Sequence, residues 1–151
     1  MLRITRQADY GIVLLTQFAR SNGRVYSARE LAISSHVPLP MVGKILKLLV
    51  QADILASHRG MHGGYTLARG PQEITVGAII EALDGPVAIT DCTGNLPAEC
   101  GIEKSCPVSH AWQRINAAIV GALERVTLAE MTCPVGDPVT AFTGLRAESK
   151  P

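Results

Sequence analysis

The chain contains no apolar run that approaches the roughly eighteen unbroken residues of a membrane-crossing helix. Charged or strongly polar side chains interrupt every hydrophobic stretch, although mean hydropathy is +0.21. The amino terminus, MLRITRQADYG, lacks an apolar signal core and already has helical spacing, so a secretory leader is not expected. The expected compartment is therefore the cytoplasm, where clustered cysteines serve more often as ligands or redox groups than as bridges. Cys-x-x-Cys, the tight pair that structural zinc favours, is missing. The glycines of the SHRGMHGG stretch are followed by neither a Lys-Ser nor a Lys-Thr pair, which argues against a nucleotide-phosphate loop. There is no oxyanion motif, and His110 is the only near base for a nucleophilic cysteine, so a thiol enzyme is disfavoured. Internal repeats and low-complexity tracts are absent. What remains is a 151-residue chain, long enough to bury a core without disulfides, and most simply one domain with an appendage.

The formal charge of +1 conceals an asymmetry. Residues 1–70 hold nine Lys/Arg and three Asp/Glu, whereas residues 71–151 hold five and ten. A basic front half points to a polyanionic partner.

Hydrophobic spacing divides the chain into elements. Ile4, Ala8, Ile12, Leu15 and Phe18 or Ala19 predict a helix over Thr5–Arg20 with one buried face. Ser27 and Glu30 fit a capping box opening a short helix to about Ser34. After the turn Ser35–Pro38, prolines 38 and 40 suit the start of a helix running to Ala52. Val42, Ile45, Leu46 and Leu49 form its inner face, leaving Met41, Lys44 and Lys47 outside it. Ile54–Ala56 and Tyr65–Leu67 read as strands around a loop whose glycines permit positive φ. Thr75 caps a helix through Leu83, which Gly85-Pro86 ends. Residues 91–106 have no period and read as loop. Pro107 opens a long helix with a narrow stripe of Trp112, Ile115, Ile119, Leu123 and Val126, suited to one partner helix. Thr127 and Glu130 form a second possible capping box.

Helix, short helix, turn, helix, hairpin is the order of a winged helix-turn-helix. The expected fold is mainly α, with a small two-stranded wing and a long C-terminal dimerisation helix. The major groove admits one helix, and residues near its amino terminus face the bases. Ser27, Pro38, Pro40, Met41, Lys44 and Lys47 are the expected DNA-contacting residues of the helical part. Arg59, His62 and Gly63 are those of the wing, from which an arginine can enter a narrow minor groove.

Cys92, Cys100 and Cys106 lie in DCTGNLPAECGIEKSC, with gaps of seven and five residues. Thiolates favour zinc, copper(I) and iron–sulfur clusters. Wide gaps on a slack loop suit a polynuclear object, with zinc or a thiol switch as alternatives. A fourth ligand would come from His110, Glu103, Cys133 or Asp9.

Taken in order, LRITRQADYG, VPLPMVGKILKLLVQADIL, SHRGMHGGYTLAR, ITVGAIIEALDG and the three cysteines before SHAWQRI resemble the IscR/NsrR group of winged-helix regulators, the Rrf-two family, over about residues 1–131. The variant is most similar to the branch of SUF-system iron–sulfur assembly regulators. The resemblance implies a homodimer joined through the long helix, a cluster on Cys92, Cys100 and Cys106 ([2Fe–2S] ahead of [4Fe–4S]), and double-stranded promoter DNA as partner. It also implies DNA contact by Arg59 and by the helix starting near Pro40. The nitric-oxide-sensing branch uses an Asp from the partner's first helix, and Asp9 falls at the matching position. The isc-type regulator uses a His three residues after the last cysteine; here Ser109 stands there and His110 follows, the alternative fourth ligand. Gly43 replaces an acidic residue that helps some members choose sites. The expected organisation is a DNA-binding domain over 1–84, a cluster loop over 85–106, a dimerisation helix region over 107–131 and a flexible tail over 132–151.

Overall fold

The computed structural model describes residues 3–21, 23–94 and 105–132. Helix α1 spans Arg6–Arg20, and the hydroxyl of its N-cap Thr5 accepts the Ala8 N–H at 3.1 Å. Its buried face holds Ala8, Gly11, Ile12, Leu14, Leu15 and Phe18. Ile4, expected on that face, is 54% exposed because it precedes the cap and is not carried round by the helix. Helix α2 spans Ala28–Ser35. Both halves of its capping box form: Glu30 N–H donates to Ser27 Oγ at 3.2 Å, and Ser27 N–H donates to Glu30 Oε2 at 2.8 Å. His36 then turns the chain in the left-handed region, with φ 58°, and Val37 enters the core. Helix α3, Leu39–Gln51, follows from Pro38 with Pro40 in its first turn, where a missing N–H costs nothing.

Strands β1 (Leu55–His58) and β2 (Gly64–Leu67) pair antiparallel, from Leu55 opposite Leu67 to His58 opposite Gly64. Tyr26 adds a rung that the apolar pattern did not announce. Its N–H donates to the Tyr65 carbonyl at 3.0 Å, and Tyr65 N–H donates back at 2.8 Å. The wing is thereby tied to the approach to α2. Helix α4 (Val76–Asp84) is capped by Thr75, whose hydroxyl accepts the Ala78 N–H at 3.1 Å. Helix α5 spans Ser109–Arg125; Pro107 lies just before it rather than within it.

One core joins α1, α2, α3, β1 and α4 through residues such as Leu15, Leu31, Ile45, Leu49, Leu55 and Ile79. Leu128, beyond α5, belongs to it and is fully buried. A backbone exchange holds it there: Val76 N–H donates to the Val126 carbonyl and Leu128 N–H to the Ile74 carbonyl, both at 2.8 Å. Gly77 permits the close crossing of α4 and α5, since a Cβ there would lie 3.2 Å from Glu124 Cγ. The stripe expected on α5 therefore divides. Leu123 and Val126 pack on the chain's own core, while Trp112 and Ile115 are 39% and 45% exposed. No helix among the described residues is long and apolar enough to cross a membrane. The tail over 133–151 lies outside the described residues.

Candidate nucleic-acid interface and thiol site

Helix α3 has two faces. Val42, Ile45, Leu46 and Leu49 are fully buried, which fixes the rotation of the helix about its axis. Pro40, Gly43, Lys44 and Lys47 are then forced outward, all exposed. Met41, expected on the free face, is instead half-buried against the core, one helical turn before the buried Ile45. Pro38 is exposed at the helix-turn-helix junction. The Ser27 hydroxyl is engaged in the α2 cap, so its first role is to set the amino end of that helix. Among the described residues the ion pair present is Arg24–Glu30, at 3.3 Å, with Arg24 also 4.8 Å over the Tyr26 ring. Lys44, Lys47 and Arg59 take no part in it.

The wing tip carries Arg59 and His62, both exposed, around Met61, which is 96% exposed. Met61 belongs to no charge or glycine pattern in the sequence, yet it stands between Arg59 and His62. Positive φ is required at Gly60 (118°) but at neither Gly63 nor Gly64. Those two glycines are demanded by crowding: a Cβ on Gly63 would lie 2.5 Å from the His58 carbonyl oxygen, and one on Gly64 2.5 Å from that of Tyr26. Gly63 thus shapes the wing by a close approach to its own backbone.

The thiol site is described at its two borders. Cys92 sits in a 3-10 helical turn, Asp91–Thr93, inside the segment expected to be loop. It is half-buried, with Sγ 3.3 Å from Thr90 Oγ1. Cys106 is half-buried immediately before α5, and its carbonyl accepts the Ser109 N–H at 3.4 Å. Both are free thiols. Cys100, Glu103 and Cys133 lie outside the described residues. Among the described residues no three His, Cys, Asp or Glu side chains gather around one point. Asp9, in the first turn of α1, and His110, in the first turn of α5, are both exposed and do not converge with a thiol pair here. The donor chemistry nonetheless fits a thiolate-held group, since two unbridged, half-shielded thiols bracket the segment that carries the third. The Thr90 hydroxyl beside Cys92 is the kind of neighbour that tunes a coordinating sulfur.

A residue outside the sequence reading links this site to α5. Asn116 is the buried polar residue of the described core, 9% exposed. Its Oδ1 accepts the Ile89 N–H at 3.1 Å and its Nδ2 donates to the Val87 carbonyl at 3.1 Å. The available signal was an amide set between Ile115 and Ala117, at the head of the apolar run Ala117–Val120.

A groove-sized helix with a buried stripe on one side and lysines on the other, beside a thin wing, defines a winged helix-turn-helix DNA-binding regulator. The chain belongs to the Rrf2 family, iron-dependent transcriptional regulators, whose family model matches residues 4–134. It is similar to an HTH-type transcriptional regulator of Mycobacterium tuberculosis, 30% identical over 133 residues that cover 86% of this chain and 81% of the relative. Among solved structures, CymR (YrzC), the global cysteine regulator of B. subtilis, matches with TM-score 0.69 and 28% identity over 87% of this chain and 97% of that one. IscR of T. potens matches with TM-score 0.62 and 29% identity over 86% of this chain and 85% of that one. The chain is accordingly a DNA-binding transcriptional regulator and not an enzyme.

Proposed function

We propose that the chain is a cytoplasmic, homodimeric repressor of iron–sulfur assembly genes, whose hold on promoter DNA is set by an iron–sulfur cluster. Cys92, Cys100 and Cys106 would hold it, two-iron ahead of four-iron. The observation that carries this reading is the pair of free, half-buried thiols at the borders of the Cys100 segment, next to a helix stitched into the DNA-binding core. The family's description as iron-dependent regulators supports it. When bound, a cluster supplies a charged, redox-active centre whose gain or loss changes the order of the chain around it.

The chain's own residues supply the remainder. Lys44 and Lys47 meet phosphates or guanine edges, and Arg59 enters the minor groove. Trp112 and Ile115 form the open half of α5, where a second copy would dock. Asp9 of the partner is the preferred fourth ligand and His110 the alternative; each is exposed and therefore able to reach beyond its own surroundings. A tenfold change in DNA affinity needs only about 1.4 kcal/mol of coupling between the sites.

The test is fluorescence anisotropy on promoter DNA under anaerobic conditions, with reconstituted and metal-free protein at one salt concentration. A difference of tenfold or more supports cluster control, and equal affinities reject it. A second reading keeps the regulator without a cluster, its cysteines forming a thiol switch or a zinc site. The likeness to Staphylococcus aureus CymR, solved in an oxidized form, supports that reading. Analysis for iron, zinc and sulfide separates the two.

A further inference from the structure

Cys92 is held by more than its own turn. After α4 ends at Asp84, the chain runs through Gly85 and Pro86 to Val87 and Ile89, then to Cys92. No regular secondary structure fixes residues 87–89. They are fixed by Asn116, which uses both ends of its amide on them: Oδ1 accepts from Ile89 N–H and Nδ2 donates to the Val87 carbonyl, each at 3.1 Å. A side-chain amide that satisfies a donor and an acceptor two residues apart imitates a strand partner, and fixes the segment in register as well as in place. Burial strengthens this, because an amide left unpaired at 9% exposure has little water to turn to. Three residues further on, the Cys92 sulfur meets Thr90. At the other end, α4 is joined to α1: Thr5 Oγ1 donates to Asp84 at 2.7 Å, and Gln7 Nε2 donates to the Leu83 carbonyl. Hydrogen bonds thus tie α5 to residues 87–89 and the carboxyl end of α4 to the amino end of α1, three residues before Asp9, and the short backbone stretch Gly85-Pro86 joins the two sets.

We propose that Asn116 is the positioning residue of the thiol site: its two-ended amide latches residues 87–89 to α5, and so sets where the Cys92 sulfur stands relative to the dimer helix. The consequence for control rests on the cluster-sensing reading, but the latch itself is a property of the metal-free chain and is measured there. Removing the amide frees the segment, exposes Cys92 and uncouples it from α5. A purely space-filling role for Asn116 would instead loosen α5 as a whole, because the same helix packs Leu123 on the core.

The experiment uses the full-length, metal-free protein in two measurements. Residue-resolved amide exchange follows Ile89 N–H, with Val76 N–H, which donates to Val126, as the reference. Peptide-resolved alkylation with a neutral thiol reagent at fixed pH follows Cys92, with Cys106 as the reference. In Asn116→Ala, the Ile89 amide should exchange about tenfold faster and Cys92 should alkylate severalfold faster, both references keeping wild-type rates. Asn116→Asp retains the acceptor for Ile89 and opposes the Val87 carbonyl, so it should move Cys92 in the same direction with a smaller change at Ile89. It also serves if the alanine variant does not fold. Leu123→Ala loosens α5 packing two turns beyond the latch and should not raise the Ile89-to-Val76 ratio. Wild-type rates in a folded Asn116 variant, or equal acceleration at Val76 and Cys106, would overturn the proposal. Because no cluster takes part, these rates stand even if reconstituted and metal-free protein bind DNA equally, which would count against the cluster reading alone.

Discussion

Leu128 donates its backbone N–H to the carbonyl of Ile74 at 2.8 Å, and both side chains are fully buried. The residues just beyond α5 are therefore part of the DNA-binding core, and a force on α5 is felt at the start of α4. Leu128→Ala should cost about 2–5 kcal/mol of stability, the usual range for a buried leucine truncated in a packed core. Denaturant unfolding measures it. A loss under about 1 kcal/mol would mean that the carboxyl end of α5 is merely resting on the domain.

Two glycines should respond oppositely to alanine. Gly63→Ala places a Cβ 2.5 Å from the His58 carbonyl oxygen, so it should distort the wing and weaken DNA binding. On the outer face of α3, a Cβ added at Gly43 would meet nothing within 4 Å. Gly43→Ala should therefore stabilise the protein by up to about 1 kcal/mol through helix propensity. Thermal melts of both variants check the pair, and a destabilised Gly43→Ala would contradict the exposed outer face.

Lys44 and Arg59 should differ in how their loss is read. Lys44→Ala should weaken binding across sequences and reduce the salt slope by about one, as for a phosphate contact. Arg59→Ala should cost about 1–3 kcal/mol and relax sequence preference, as for a base or groove contact. Binding isotherms over a salt series decide, and an unchanged affinity for Arg59→Ala would make the wing a bystander.

The Glu30 carboxyl is held below its ordinary pKa of 4.5, first by the Ser27 backbone N–H, then by the Ser27 hydroxyl, with Arg24 adding attraction. A lowered folded value means that the stabilisation is complete above the ordinary carboxylate range and is lost as pH falls through the lowered value. Glu30→Gln keeps a capping partner for Ser27 but cannot titrate. Its thermal midpoint should fall less steeply on acidification than that of the wild type, and parallel curves would remove Glu30 from the acid response.

For the fourth ligand, Asp9→Ala should shorten cluster lifetime more than His110→Ala does. Visible absorbance followed after exposure to air compares them. The reverse order would favour His110, and two unchanged lifetimes would exclude both.

The helical scaffold was legible because its signals are local. The capping box at Ser27 and Glu30, Thr75 before α4, and the inner stripe of α3 each declare an element within a few residues. The second capping box also forms, with Glu130 N–H donating to Thr127 Oγ1 at 3.3 Å and a 3-10 turn following. What escaped is long-range. Tyr26 pairing with Tyr65 depends on where α2 sets the chain, and a lone rung leaves no period in the sequence. Leu123 and Val126 shared a stripe with Trp112 and Ile115, but only the fold shows that the backbone bridge around Thr75 and Thr127 turns the lower half inward. Ile4 matched the helical spacing and still fell outside the helix, because the cap comes after it. At the thiol site the spacing of Cys92 and Cys106 was visible, whereas Asn116 was not, since its partners lie 27 and 29 residues away.

Whether three cysteine sulfurs hold an inorganic group that this regulator reads is decided by metal content. The most direct measurement is iron and acid-labile sulfide per chain after anaerobic reconstitution, in wild type and in Cys92→Ala, Cys100→Ala and Cys106→Ala. Cluster binding by these sulfurs should give stoichiometric iron and sulfide with visible absorbance in the wild type, and loss of both in each variant. A colourless wild type, or variants that retain full iron and sulfide, would contradict it.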